Sequence, residues 1–246
     1  NLKAANGKAI TFGGTITDAS TPAGTMTIGT TGYTGTVNFN NAVTQATINA
    51  TLGTANFAST INATTMNVNG GTANLSGVLT ATNLNLSSGT LALKADNILS
   101  ATTATVTGGS LDLRTSGAIE TQNFQTLAMN GNANYSIDVN MGTKLADKLN
   151  ATTVSGSGEL NLNTINWTNG TAIGDNAKIA LMSSANENLA NAINLGVSQY
   201  VNGNLTYNIT KEVTDSIAYL KFAYGNLYTA VHDTSATRTY TMTTDE

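Results

Sequence analysis

Charge is scarce in this chain. Only 10% of its 246 residues are Asp, Glu, Lys or Arg, against about 25% in an ordinary globular domain. Cysteine is absent, which excludes a disulfide scaffold and any thiolate metal centre. There is one proline, Pro22, and one histidine, His232. The 10 basic residues are outnumbered by 14 acidic ones and form no basic tract, which argues against an electrostatic nucleic-acid binder. No apolar run approaches the roughly 18 residues that a membrane helix requires. What is abundant is uncharged and polar: 44 Thr and 33 Asn, with 24 Gly. A hydrophobic fraction of 40%, together with Thr, Val and Ile that favour extended backbone, argues against disorder.

The apolar residues are periodic. Gly35-Thr36, Gly53-Thr54, Gly71-Thr72, Gly89-Thr90 and Gly109-Ser110 follow one another at intervals of 18, 18, 18 and 20 residues. Each pair precedes a short alternating segment: Val37 and Phe39, Ala55 and Phe57, Ala73 and Leu75, Leu91 and Leu93, Leu111 and Leu113. A second ladder is read as Val43, Ile61, Leu79, Ile98 and Ile119. A third is read as Ala46 and Ile48, Met66 and Val68, Leu84 and Leu86, Ala104 and Val106, Leu127 and Met129. Ile10 and Phe12, Ile16, and Met26 and Ile28 fit the same scheme, with Gly29 to Tyr33 as a loop insertion.

Three period-2 segments in so short a unit leave no room for a strand, a helix and a return. A unit cannot bury its own ladder and must stack on its neighbours. The expected fold is therefore all-β: a single-stranded parallel β-solenoid, a right-handed β-helix by the usual crossover preference, with a β-rich C-terminal cap. Residues 1–132 are assigned to coils of 18 to 20 residues, and residues 133–246 to the cap.

Outward positions are ordered too. Asn38, Asn56 and Asn74 recur at one position, followed by Ala92 and Asp112. Thr47, Asn67, Asn85 and Thr105 are assigned to another. They are read as solvation of a flat sheet, with a carbohydrate- or ice-binding face as the alternative. No regular Thr-x-Thr array supports that alternative.

Beyond Asn132 the period lapses. Strands are expected at Tyr135 to Val139, Leu160 to Ile165, Ile179 to Met182, Leu205 to Ile209, Ile217 to Tyr224 and Leu227 to Val231. A short helix is expected over Ala185 to Leu195, and a hairpin turn at Gly225-Asn226. Seven of the eight Tyr and the only Trp follow residue 132. Tyr135-Ser-Ile-Asp-Val139, Ala146-Asp-Lys-Leu149, Ser155-Gly-Ser-Gly-Glu-Leu-Asn-Leu162 and Lys178-Ile-Ala-Leu181 resemble the pertactin-like, autochaperone-type region of bacterial autotransporter passengers. Leu205-Thr-Tyr207 and Ala218-Tyr-Leu220 resemble its final hairpin strands. The resemblance implies a β-helix displayed outside an outer membrane and exported through a β-barrel. A chain that opens at Asn1 and closes at Glu246 without a barrel is then expected to be a mature or excised piece.

Little in the sequence offers catalysis. His232 lies in a polar stretch with no nucleophile elbow to serve. Gly156-Ser-Gly158 lacks the third Gly and the Lys-Ser or Lys-Thr of a phosphate cradle. Asp138 and Asn140 lack the ligand density of a calcium loop. Lys94, Asp96, Asp112 and Arg114 are the one charged cluster expected to meet on neighbouring coils, as surface ion pairs, with Asp18 and Glu120 the other acids of the repeat region. Trp167 and Tyr200 are expected in core or cap contacts in preference to sugar stacking. The expectation is thus no catalytic, cofactor or metal site. The function expected is a secreted or cell-surface bacterial adhesin, binding host or cell-surface glycans or proteins through extended polar faces. A filament or surface-layer subunit associating end to end, and a β-helical glycan lyase or hydrolase, are the alternatives.

Overall fold

A computed structural model describes residues 1–18, 24–115, 117–185 and 192–225. The elements described are twenty β-strands joined in one large, mostly parallel sheet. His232, the expected strand Leu227 to Val231 and the turn residue Asn226 lie outside the described residues. Most of the expected helix at Ala185 to Leu195 does so as well. Its last three residues, Ile193–Leu195, are a strand paired with Leu160–Thr168.

The repeat spacing becomes strand register. Ala9–Phe12, Thr36–Phe39 and Thr54–Phe57 pair in parallel, and Thr54–Phe57 continues onto the end of Ile61–Leu75. Phe12, Phe39 and Phe57 stack with ring centroids 5.5 and 4.7 Å apart. Alternation sends every second side chain inward. The column Val37, Ala55, Ala73, Leu91 and Leu111 is buried and continues into Tyr135 and Leu162.

Two ladder assignments need correction. Ile48 and Ala50, not Ala46 and Ile48, stand in register with Met66 and Val68. The slip is two residues, so inward and outward are preserved, but Asn49 replaces Thr47 beside Asn67. In the second ladder Leu79 pairs with Leu99, not Ile98. Leu149 on the far side pairs with Gln122, not Ile119. Gln122 is fully buried in an otherwise apolar column. Its amide is satisfied there: Nε2 donates to the Ala95 carbonyl at 2.7 Å, and Oε1 accepts from the Ile98 N–H at 3.1 Å.

Parallel pairing runs on past Asn132 while the units lengthen. Cross-unit partners are 18 residues apart at Asn56 and Asn74, 24 at Asn134, 27 at Asn150 and 33 at Asn194. The additional residues lie in corners such as 113–120 and 141–147. The pairing then turns antiparallel. Ile217–Tyr224 covers the edge of Lys178–Ser184 and pairs with Leu205–Thr214, which pairs with Gln199–Asn202. Trp167, Tyr200, Tyr207 and Phe222 pack together there, with the Trp167 and Tyr200 rings 4.7 Å apart. A glycine column marks one corner. Gly89 has φ +73°, and a Cβ placed on it would sit 2.2 Å from the Gly71 carbonyl oxygen.

Candidate binding faces

On the outward side the register forms files of amides. Asn74 Nδ2 donates to Asn56 Oδ1, and Asn56 Nδ2 to Asn38 Oδ1, both at 2.7 Å. Asn38 Nδ2 in turn donates to Thr11 Oγ1 at 3.2 Å. A second file runs from Asn85 to Asn67 to Asn49 at 2.8 and 2.7 Å. A third joins Ser183, Asn150, Asn123 and Asn97 at 2.6, 2.9 and 2.7 Å. Each interior amide uses one N–H and one acceptor site along the file, so one N–H and one acceptor site remain to face outward.

Beside the second file the register aligns Thr25, Thr47, Thr65, Asn83, Thr103, Thr126 and Thr153. This near-continuous Thr file could not be assembled while Thr47 was matched to Asn67. Its neighbouring file is Asn-centred, so the face is Thr-x-Asn in character and not Thr-x-Thr. No charged residue occurs between Asp18 and Lys94, so these files are electrically neutral over the 18-residue units.

The first charges after this neutral stretch gather at one place. The Arg114 guanidinium grips Asp112 through Nε at 2.9 Å and Nη2 at 3.1 Å, while its backbone N–H reaches the same carboxylate at 3.0 Å. Lys94 Nζ lies 3.8 Å from Asp112 and donates to the Arg114 carbonyl at 2.7 Å. Burial alone would push the Asp112 carboxyl up, but the Arg114 hydrogen bonds, with Lys94 and Arg114 charge behind them, hold it below its ordinary value. Three of the four expected cluster members therefore meet. Asp96 instead accepts the Thr121 N–H at 2.6 Å. The cluster walls a shallow open depression whose other side is Thr164, Ile165 and Asn166.

Two further carboxylates, Asp138 and Asp147, are tied to backbone. Asp138, fully buried, accepts the N–H groups of Thr115 at 2.7 Å and Gly117 at 3.0 Å, and the Asn166 amide. Asp147, also fully buried, accepts the N–H groups of Glu120 at 2.7 Å and Asp138 at 2.6 Å. Burial pushes the Asp147 carboxyl up to about 7; its two backbone hydrogen bonds oppose the shift, and the Asp138 and Glu120 charges add to it. Sequence reasoning missed this knot, because nothing in the spacing of Glu120, Asp138 and Asp147 marks them as neighbours. Among the described residues no group of three or more His, Cys, Asp or Glu is placed to hold a metal ion. Trp167 and Tyr200 are engaged in the aromatic cluster, with Tyr200 buried and Trp167 half-buried against the core.

Among the described residues no helix is long and apolar enough to cross a membrane. No protein-family model matches the chain, and no curated protein is detectably similar to it in sequence.

Proposed function

We propose that the stacked units are the coils of a right-handed β-solenoid, and that the protein is an adhesive component of a bacterial surface, of the autotransporter-passenger type. The observation that carries this proposal is the set of neutral, in-register Thr and Asn files. They present hydroxyls, amide N–H groups and carbonyls at the roughly 4.8 Å pitch of stacked strands, without a charged residue from 19 to 93. Such a surface offers many weak, repeated hydrogen-bonding positions to a ligand rich in hydroxyls, where no single pocket would be needed. Within the cap assigned to residues 133–246, the antiparallel set Gln199–Asn202, Leu205–Thr214 and Ile217–Tyr224 covers an open strand edge of the kind that invites aggregation. An adhesive role suits the carboxylates better than a hydrolytic one: Asp112 is held by Arg114, and Asp138 and Asp147 by backbone donors.

The test is adhesion of the purified chain to immobilised glycans and to cells, with Thr65→Glu plus Thr103→Glu as the face variant. Adhesion is expected to fall in the variant while its circular-dichroism spectrum is unchanged. Adhesion unaffected by the substitutions would refute binding through this face. Electron microscopy should show separate rods; long fibres would favour the filament reading.

A further inference from the structure

We propose that the depression between Lys94, Asp112 and Arg114 and the segment Thr164 to Asn166 is a subsite for the carboxylate of an acidic sugar, a uronate-type unit of a glycan chain. This rests on the adhesive reading above and narrows it to one ligand chemistry at one place.

The first support is unspent donor capacity. Lys94 and Arg114 share Asp112, and Arg114 also lies in the field of buried Asp138, whose carboxylate is occupied by the Thr115 and Gly117 N–H groups and the Asn166 amide. Arg114 commits Nε and one Nη2 N–H to Asp112, and Lys94 commits one N–H to the Arg114 carbonyl. Three guanidinium N–H groups and two ammonium N–H groups remain for another acceptor. Both side chains stay accessible, at 31% exposure for Lys94 and 39% for Arg114. The Asp112 bonds and the Lys94 bond to backbone fix the two cationic heads in place, so little side-chain entropy is left to lose on binding.

The second support is position. Asp112 occupies the same outward file as Asn38, Asn56, Asn74 and Ala92. A ligand lying along that file meets amides first and reaches its single charged position at this depression. The other wall carries the exposed Thr164 hydroxyl and Asn166, whose Nδ2 donates to Asp138, while half-buried Ile165 between them packs against the core. The wall strand Ser110–Asp112 is paired on both sides, with Leu79–Leu93 and with Ala133–Asn140. No free backbone edge is presented there to an extended acidic peptide, so recognition falls to side chains and favours a hydroxyl-rich ligand.

The experiment measures binding of tetragalacturonate, its fully methyl-esterified form and tetraglutamate to the full chain by calorimetry, beside the glycan and cell adhesion assay. Tetragalacturonate should bind, more weakly in high salt, and the ester should bind about tenfold more weakly or worse, as loss of a charge-assisted contact predicts. Lys94→Gln and Arg114→Gln should each weaken tetragalacturonate by about tenfold. Lys94→Gln spares the Arg114–Asp112 grip, so its result stands even if the Arg114 variant fails to fold. Equal binding of the ester, equal binding of tetraglutamate, or unchanged affinity in Lys94→Gln would overturn the subsite. No tetragalacturonate binding with adhesion intact would overturn the subsite alone; loss of both would overturn the adhesive reading as well.

Discussion

Asp147 sits without exposed surface between the backbone N–H groups of Glu120 and Asp138, and it ties together two of the widened corners. Its carboxyl titrates at about 7 in the fold, against about 3.9 in an unfolded chain. Between those values the folded state binds more protons than the unfolded one, so stability falls as pH rises from about 4 to about 7 and levels off above that. Three pH units at 1.36 kcal/mol each give a loss on the order of 4 kcal/mol. The groups facing Asp147 and its neighbours are Glu120, Asp138, Tyr135 and Asp96, with Arg114 on the Asp138 side. Glu120 acts in the same direction: burial raises it, its Thr115 hydrogen bond opposes, and Asp96 and Asp138 add to the rise. Asp112 and Glu212 are shifted down, so the stability they contribute is lost only on the acid side, as pH falls through their lowered values. Urea midpoints for the wild type should therefore decline between about pH 4.5 and 7.5. In Asp147→Asn the decline should shrink to what Glu120 supplies. That variant should start lower by about 1–3 kcal/mol, since one backbone N–H then faces an amide NH₂ group. Wild-type stability that rises across this window, or an equal slope in Asp147→Asn, would refute the reasoning.

Ile61→Asp or Leu79→Asp should cost several kcal/mol (about 4) by placing an unpaired charge in a fully buried column, while Thr65→Ser should shift the thermal midpoint little. Gly89→Ala should cost about 2 kcal/mol or more in denaturant titration, combining a left-handed φ with the blocked Cβ, whereas Gly13→Ala meets nothing within 4 Å and serves as the neutral control. Asn56→Asp should cost about 1 kcal/mol at neutral pH, because its new oxygen faces Asn38 Oδ1, and lowering the pH below the carboxylate range should restore part of the loss. Chelator should leave the thermal midpoint unchanged; a large drop would point to a metal contribution to stability.

The periodic half of the fold was legible because inward residues there are almost all apolar and the spacing is constant. Where the ladders were misassigned, the cause is local. Ala46 and Ala50 are equally small and apolar, and alternation skips a residue at the corner between Gln45 and Thr47, so pattern alone does not choose between them. Gln122 escaped notice because a buried glutamine has no apolar signature; only its hydrogen bonds to the Ala95 and Ile98 backbone explain its place. The Lys94, Asp112 and Arg114 grouping was visible because an interval of 18 to 20 residues brings consecutive units side by side. The Glu120, Asp138 and Asp147 knot was not, because it forms where the interval is no longer constant.

That change of interval has a consequence for assembly. Thr36–Phe39, Thr54–Phe57 and the two strand ends that follow are parts of nearly one pattern, each 18 residues from the next. If one of the first three docked a whole unit out of step on another of them, Asn would still meet Asn and an apolar residue would still meet an apolar residue, so the local contacts would penalise the error little. The later units do not allow this. Their intervals of 24, 27 and 33 residues give each one corners of a different size. Buried ties such as Asp147 to Glu120 and Asp138 have one correct partner only. The irregular C-terminal half thus works as a key that counts the interchangeable units into place, and the regular half is left free to vary its number of units without changing its surface.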